Sequence, residues 1–192
     1  MKERFIPFGE QQLKRYEIIN RYLKGKIVLN VGSSWGNFNK YLKSTNRLRT
    51  IVGVDVCGNP DIEHDLNVFP YPIKDKNFDT VVAGDIIEHL LHPHSFFHEC
   101  HRILKPGGRL ILTTSNATSL YYIMNPNTCG FGKNPHVYAW TIPMLEKHIE
   151  KAGFRVIDSG LITCHWNLNI LARMLCALVP NLKTEIIMVC EK

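Results

Sequence analysis

The 192-residue chain predicts an α/β fold built on a doubly wound, mostly parallel sheet. Three observations carry that prediction. Apolar, strand-like runs alternate with helix-periodic segments along nearly the whole length, the pattern of a sheet covered on both faces. The first run, Ile27-Val28-Leu29-Asn30-Val31, breaks at the turn Gly32-Ser33-Ser34-Trp35-Gly36 into a helix-like segment. The second, Ile51-Val52-Gly53-Val54, ends on the carboxylate of Asp55. A glycine turn followed about 20 residues later by an acid lets backbone N–H groups approach a nucleoside while the carboxylate takes its ribose hydroxyls.

Each element follows from local pattern. Leu13, Tyr16, Ile19 and Leu23 form one helical stripe over residues 10–24, stopped by Gly25. Strand one is Lys26–Val31, and a helix over residues 36–44 carries Phe38, Tyr41 and Leu42. Strand two is Thr50–Asp55. Residues 60–65 form a short third strand, after which Phe69-Pro70-Tyr71-Pro72 enforces extended loop. Strand four, Phe78–Ala83, leads through Gly84-Asp85 to Ile86-Ile87-Glu88-His89-Leu90. A helix with Pro93 in its first turn then buries Phe96, Phe97, Cys100, Ile103 and Leu104, and Lys105-Pro106-Gly107-Gly108 stops it. Strand five, Arg109–Thr114, ends in Ser115-Asn116. The irregular segment 125–135 has the length of a lid. Thr141 caps a helix whose Leu145, His148, Ile149 and Ala152 share a face. A strand over 154–162, a helix over 166–179 and a strand over 184–190 complete the chain. The nearly all-round apolar run at 166–179 has core packing as its default, with a lipid or partner surface as the minority reading.

Composition sets bounds. With 45% hydrophobic and 21% charged residues the chain has the balance of a folded domain, and its length suits a single one. No run approaches the roughly 20 apolar residues of a membrane span, and Met1-Lys2-Glu3-Arg4-Phe5 lacks the apolar core of a signal peptide, so a cytoplasmic location is expected. Six cysteines (57, 100, 129, 164, 176, 190) without a Cys-x-x-Cys read as reduced, mostly buried small hydrophobes. The net charge of +6 is concentrated in residues 1–50, where eleven Lys/Arg face Glu3, Glu10 and Glu17. Such an excess suits RNA, an anionic ligand or an anionic surface, and is also the composition of an ordinary solvated helix face.

Two motifs compete with a nucleoside turn. Gly32-Ser33-Ser34-Trp35-Gly36 also spells the hydrolase nucleophile elbow, with Asp85 or Asp158 and His89 or His165 in triad order. It follows the first strand, however, and no His-Gly-Gly segment precedes it. Histidines 89, 92, 94, 98 and 101 crowd around Glu88, and His94 and His98, at i,i+4, can share a metal on one helix face. No His-Glu-x-x-His and no third ligand accompany them, so the span reads as a histidine-rich amphipathic helix and no metal is expected.

Taken with strand one and Asp55, Phe78-Asp79-Thr80-Val81-Val82, Glu88-His89-Leu90 and Leu104-Lys105-Pro106-Gly107-Gly108-Arg109-Leu110 give a specific joint pattern. From about residue 25 to 160 the chain resembles the class I S-adenosylmethionine-dependent methyltransferases, and most of all the small-molecule branch related to quinone-biosynthesis enzymes. The resemblance implies a Rossmann-like sheet of seven strands with an antiparallel last strand. It also implies S-adenosyl-L-methionine as cofactor, held by Asn30, Val31, Gly32, Ser33, Ser34, Gly36, Asp55, Val56, Asp65, Leu66, Asp85 and Ile86. In that frame the Gly32–Gly36 turn meets the amino-acid portion and Asp55 the ribose. Asp65 and Leu66 lie against the adenine, and Asp85 faces the methionine amino group or the sulfonium. The chain departs from the family at Asn30, where an acid is usual, and at Ser34, where glycine is usual.

His89 is the candidate catalytic residue, a general base near the end of strand four; its alternative is to cap or pack the helix start. Asn116, His136, Tyr138 and Trp140 are substrate-side candidates. The expectation is one domain (residues 1–25 an N-terminal helix, 117–140 a lid, 163–183 a substrate-side helix) that methylates an O or N atom of a small molecule. Nucleic acid is disfavoured without being excluded, no transmembrane segment is expected, and the oligomeric state is open, a homodimer included. An RNA methyltransferase using the basic N-terminal third, and a degenerate non-catalytic relative, are the alternatives.

Overall fold

Hydrophobic alternation along the strands decides the architecture. In the computed structural model, which describes residues 10–34, 36–45, 48–124, 136–163 and 170–192, successive strand residues enter two separate cores. Leu29, Val54, Val81, Leu110, Leu112 and Met188 face one core, and Val28, Ile51, Val82, Ile111 and Val189 face the other. A period of two with both faces apolar is what a sheet buried on both sides requires.

Seven strands build that sheet: β1 (Ile27–Val31), β2 (Thr50–Asp55), β3 (Ile62–Glu63), β4 (Phe78–Gly84), β5 (Leu104–Ser115), β6 (Arg155–Ile162) and β7 (Glu185–Glu191). Their order is β3-β2-β1-β4-β5-β7-β6. Pairing from β3 through β5 is parallel. Only β7 runs against its neighbours, β5 on one side and β6 on the other, as expected of the last strand. Helices α1 (Glu10–Tyr22) and α2 (Asn37–Thr45) supply Tyr16, Ile19, Phe38 and Leu42 to one core, joined by Leu23 just after α1. Helices α3 (Pro93–Ile103) and α5 (Ile142–Lys151) supply Phe96, Phe97, Cys100, Ile103, Leu145 and Ile149 to the other. The short α4 (Leu120–Met124) and α6 (Ile170–Leu178) lie outside both.

Several expectations are corrected. The third strand shrinks to two residues, because Pro60 and Asp61 at its start and His64 and Asp65 at its end do not join the ladder. Strand five begins at Leu104, directly after the helix: Leu104 pairs with Phe78 and Arg109 with Thr80, so Lys105-Pro106-Gly107-Gly108 is a bulge within a strand. Helix α4 occupies part of the span read as lid. Thr141 stands at the start of α5 but makes no side-chain capping hydrogen bond. Helix α6 is not core: Leu171, Met174 and Leu178 are 73%, 59% and 79% exposed, and of its described side chains only Cys176 is buried. Its apolar composition therefore lies on the surface, since the sheet faces are already covered by α1, α2, α3 and α5. The segment 125–135, residues 164–169 with Trp166 and His165, Trp35, Cys129 and Cys164 lie outside the described residues. Of the remaining cysteines, Cys100, Cys176 and Cys190 are buried and Cys57 is exposed, all as free thiols.

Leu112 lies fully buried in β5, between β4 and β7. Leu112→Ala is expected to cost about 2–5 kcal/mol of stability in urea unfolding, the range for emptying a packed site; a loss well under that would place it outside the core.

Candidate active site

The carboxyl ends of β1, β2 and β4 open into a cavity of about 800 Å³, the position where open α/β sheets bind ligands. Asp55 organises it. Its Oδ2 accepts the amide of Ser34, from the turn after β1, at 2.7 Å. Its Oδ1 accepts the amides of Val56 at 2.7 Å and Cys57 at 3.2 Å, from the turn after β2. One buried carboxylate thus ties two turns together. Gly32 adds a bond from its amide to Val54 O at 3.0 Å. Gly32 has φ +76, and a Cβ there would meet Ile86 Cδ1 at 2.8 Å, so the residue must lack a side chain.

Both departures from the family pattern have local explanations. Asn30, buried, donates from Nδ2 to Oδ1 of buried Asn39 on α2 at 2.8 Å. A carboxylate at position 30 has no proton to donate there. The pair is admitted by Gly53, where a Cβ would lie 2.6 Å from Asn39 Nδ2 and 2.8 Å from Ser33 Oγ. Ser34 adopts φ +45, the left-handed region in which glycine is unstrained. Its backbone still makes the bond to Asp55 that a glycine would make.

Ten of the twelve expected cofactor residues line the cavity: Asn30, Gly32, Ser33, Ser34, Asp55, Val56, Asp65, Leu66, Asp85 and Ile86. Val31 instead points into the core, and Gly36, at φ +71, turns the chain toward α2 without reaching the wall. The candidate base His89 is on the wall.

Asp85 is not free to act alone. Arg15 of α1 donates to its Oδ2, and Thr113 donates to its Oδ1 at 3.2 Å. The Arg15 side chain is 13% exposed and lies 3.8 Å from Glu185 as well. Sequence reasoning missed Arg15 together with Gln12, Tyr16 and Ile19, which line the same wall. Their spacing of i, i+3, i+4, i+7 places a cation in an apolar stripe, a signal that was legible. Leu90, from the Glu88-His89-Leu90 pattern, also lines the cavity, as do Asn37, Phe38, Cys57, Asn67 and Val137 from loops and a helix start with no motif.

His89 stacks edge-on against His136, with ring centroids 4.7 Å apart. The hydroxyl of Tyr122 bonds His136 Nδ1 at 2.9 Å. Burial, first, and then His89 hold the His136 pKa below the usual imidazole range, against the opposing pull of Glu88. Glu88 is buried; its Oε2 accepts the Thr114 hydroxyl at 2.8 Å, and its backbone oxygen receives the amides of Val137 and Tyr138. Ligand-type atoms of Glu88, His89 and His136 lie within 4.8 Å of one another, and no other such group of three occurs among the described residues. The three form a carboxylate–imidazole cluster at the cavity wall.

The other substrate-side candidates divide. Trp140 is core. Tyr138 is exposed, its hydroxyl 3.3 Å from Leu91 O. Asn116 is structural: Nδ2 donates to the carbonyls of Asn181 and Lys183, and Oδ1 accepts from Thr118. Ser34, the would-be elbow nucleophile, has no histidine among its hydrogen-bond partners in the described residues, and its amide belongs to Asp55.

Comparison with known proteins identifies the family and the fold. A family model described as a methyltransferase domain matches residues 10–159. The mitochondrial ubiquinone biosynthesis O-methyltransferase of Mus musculus is 32% identical over 146 residues, 65% of this chain and 39% of that protein. The Coxiella burnetii ubiquinone biosynthesis O-methyltransferase is 28% identical over 163 residues, 74% of this chain and 69% of that protein. This chain therefore spans well under half of the mouse relative's length. Among solved structures, an Archaeoglobus fulgidus SAM-dependent methyltransferase superposes with a TM-score of 0.72 at 19% identity, covering 96% of this chain and 95% of that one. The phosphoethanolamine N-methyltransferase 2 of Haemonchus contortus, in complex with S-adenosyl-L-methionine, superposes with a TM-score of 0.69 at 16% identity, covering 100% of this chain and 54% of that one.

Replacing Ser34 by glycine removes the left-handed strain and gives back part of that gain as chain entropy in the unfolded state. Ser34→Gly is expected to raise stability by about 0.5–1 kcal/mol in denaturant titration; a net loss would show that its side chain supports the turn.

Proposed function

The chain belongs to the methyltransferase-domain family, and from that premise we propose that it transfers a methyl group from S-adenosyl-L-methionine to an oxygen or nitrogen of a small molecule. The observation that carries this reading is the donor set of the cavity: the Asp55 carboxylate at the end of β2, and an Arg15–Asp85 ion pair at the end of β4. Asp55 suits a ribose hydroxyl, because its carboxylate keeps an acceptor site beyond the three amides it receives and the bond to it is charge-assisted. An adjacent cation and anion match a zwitterionic amino-acid group, Arg15 taking its carboxylate and Asp85 its ammonium. Leu66 and Ile86 offer apolar wall for a purine, with Asp65 as acceptor at its edge. Among the described residues, buried Ser33 Oγ makes no hydrogen bond, which leaves it available to a ligand in the same turn.

When bound, S-adenosyl-L-methionine supplies an electrophilic methyl on a sulfonium, open to in-line displacement. The protein's own part is chiefly positional. His89 stands on the cavity wall, beside His136, where it can take the proton of an acceptor hydroxyl or amine. Helix α1 closes the side of the cavity through Gln12, Arg15, Tyr16 and Ile19 and limits water there.

A small molecule is preferred to RNA because part of the N-terminal basic excess is already paired within the protein. Arg15 pairs with Asp85. Lys24 bonds Gly107 O at 2.7 Å and Glu191 at 3.4 Å, and Arg49 bonds the carbonyls of Gly25 and Leu23. A catalytic role is preferred to a degenerate one because Asn30 and Ser34 are accommodated without loss of the Asp55 contacts. The same reading takes the chain as one domain acting in the cytoplasm. No helix among the described residues is long and apolar enough to cross a membrane.

Calorimetry with S-adenosylhomocysteine tests the cofactor assignment. Saturable binding is expected, with Asp55→Ala and the charge-removing Asp55→Asn each weakening it at least about tenfold, since charge-assisted bonds contribute about 1.5–3 kcal/mol. Folded wild-type protein that binds none at millimolar concentration overturns the reading. In a turnover assay, His89→Gln should lower the methylation rate by roughly 10²-fold or more while leaving S-adenosylhomocysteine affinity unchanged. An undiminished rate would reduce His89 to a packing residue.

A further inference from the structure

Imidazoles gather on the far side of the segment that carries His89. His94 and His98 sit one turn apart on the exposed face of α3, opposite buried Phe96, Phe97 and Cys100. Their Nε2 atoms are 3.0 Å apart and their ring planes nearly perpendicular, at 87°. Neither lines the ligand cavity. His94 instead lines a separate hollow of about 370 Å³, together with His92, Met144 and His148.

We infer that His94 and His98 chelate a borderline transition-metal ion, of the Zn²⁺ or Ni²⁺ type, at the start of α3. A contact between two Nε2 atoms holds a single proton, donated by one imidazole to the lone pair of the other. Moving that proton to Nδ1 frees both Nε2 lone pairs, which face each other across the contact, and a rotation of each exposed ring aims them at one point beside it. Ligand atoms at about 2.0–2.1 Å from a metal stand roughly 2.9 Å apart at a right angle and roughly 3.3 Å apart at the tetrahedral angle. The observed 3.0 Å lies between them, so the two nitrogens already have the spacing of a chelate and the rings need to rotate rather than translate.

The chemistry of the surroundings selects the ion class. No carboxylate lines the adjoining hollow, whose polar and soft groups among the described residues are imidazoles, the Ser95 and Tyr138 hydroxyls, the Trp140 indole and the Met144 thioether. Nitrogen and sulfur donors favour Zn²⁺, Ni²⁺ or Cu²⁺ over Mg²⁺ and Ca²⁺. The helix also has a use for such a clamp. Its N-cap, His92, makes no side-chain capping bond, and Pro93 supplies no N–H. A metal bridging His94 and His98 would pin the first two turns, directly after the Glu88–Leu91 segment that presents His89 to the cavity.

The experiment is a calorimetric titration of tag-free protein with Zn²⁺ and, separately, Ni²⁺ and Mg²⁺. Near-stoichiometric binding of Zn²⁺ and Ni²⁺ is expected, with none of Mg²⁺. His94→Ala and His98→Ala should each abolish that binding, with helix content unchanged by circular dichroism. Glu88→Gln and His89→Ala should retain it. Zn²⁺ should raise the melting temperature of the wild type but not of His98→Ala. Absence of binding, binding that survives His98→Ala, Mg²⁺ binding equal to that of Zn²⁺, or binding lost in Glu88→Gln would each overturn the assignment.

Discussion

A single buried carboxylate holds the site together. Asp55 ends β2 and receives amides from the turn after β1 and the turn after β2. Each turn presents backbone groups to the cavity, and each depends on the same two oxygens for its position. Acceptor capacity explains why one acid suffices. A carboxylate has about four lone-pair sites, and three amides leave room for a ligand hydroxyl. Without it, the two turns would lose the common acceptor that fixes the amides of Ser34, Val56 and Cys57 relative to one another.

The sheet makes that junction possible. Parallel strands β1, β2 and β4 all end on one edge, so the Gly32–Ser34 turn, Asp55 and Asp85 converge although they lie far apart in the chain. Close packing then constrains what stands beside them. Gly53 has no Cβ because Asn39 and Ser33 occupy that space, and their arrangement in turn pairs Asn30. Replacing the family's acid at position 30 is thus one part of a local polar arrangement that also involves α2.

Helix α1 supplies the charge that completes the site. Arg15 crosses from one layer to meet Asp85 at the end of β4. The ion pair lies at the boundary between protein and cavity, with Asp85 37% exposed and Arg15 13%. Arg15 is the more desolvated partner and Asp85 the more open one, so a ligand charge reaches the pair from the cavity side. Glu88 and His89 are adjacent in sequence yet divide their roles. Buried Glu88 secures Thr114 and the 137–138 backbone, while His89 faces the cavity.

The sequence alone determined the fold class, the order of the elements and much of the wall of the cavity, because those follow from short-range causes. Period-two and period-3.6 alternation reports burial directly, and the Gly32–Gly36 turn and Asp55 report backbone geometry at strand ends. Tertiary structure decided whatever depends on contact between distant segments. Only the fold could pair Arg15 with Asp85, 70 residues apart, or commit Asn116 to the carbonyls of Asn181 and Lys183. Only the fold could tell Trp140, which is core, from Tyr138, which is exposed. Helix α6 makes the same point: an apolar sequence states an affinity for burial, but whether a face is free to receive it depends on which helices already cover the sheet.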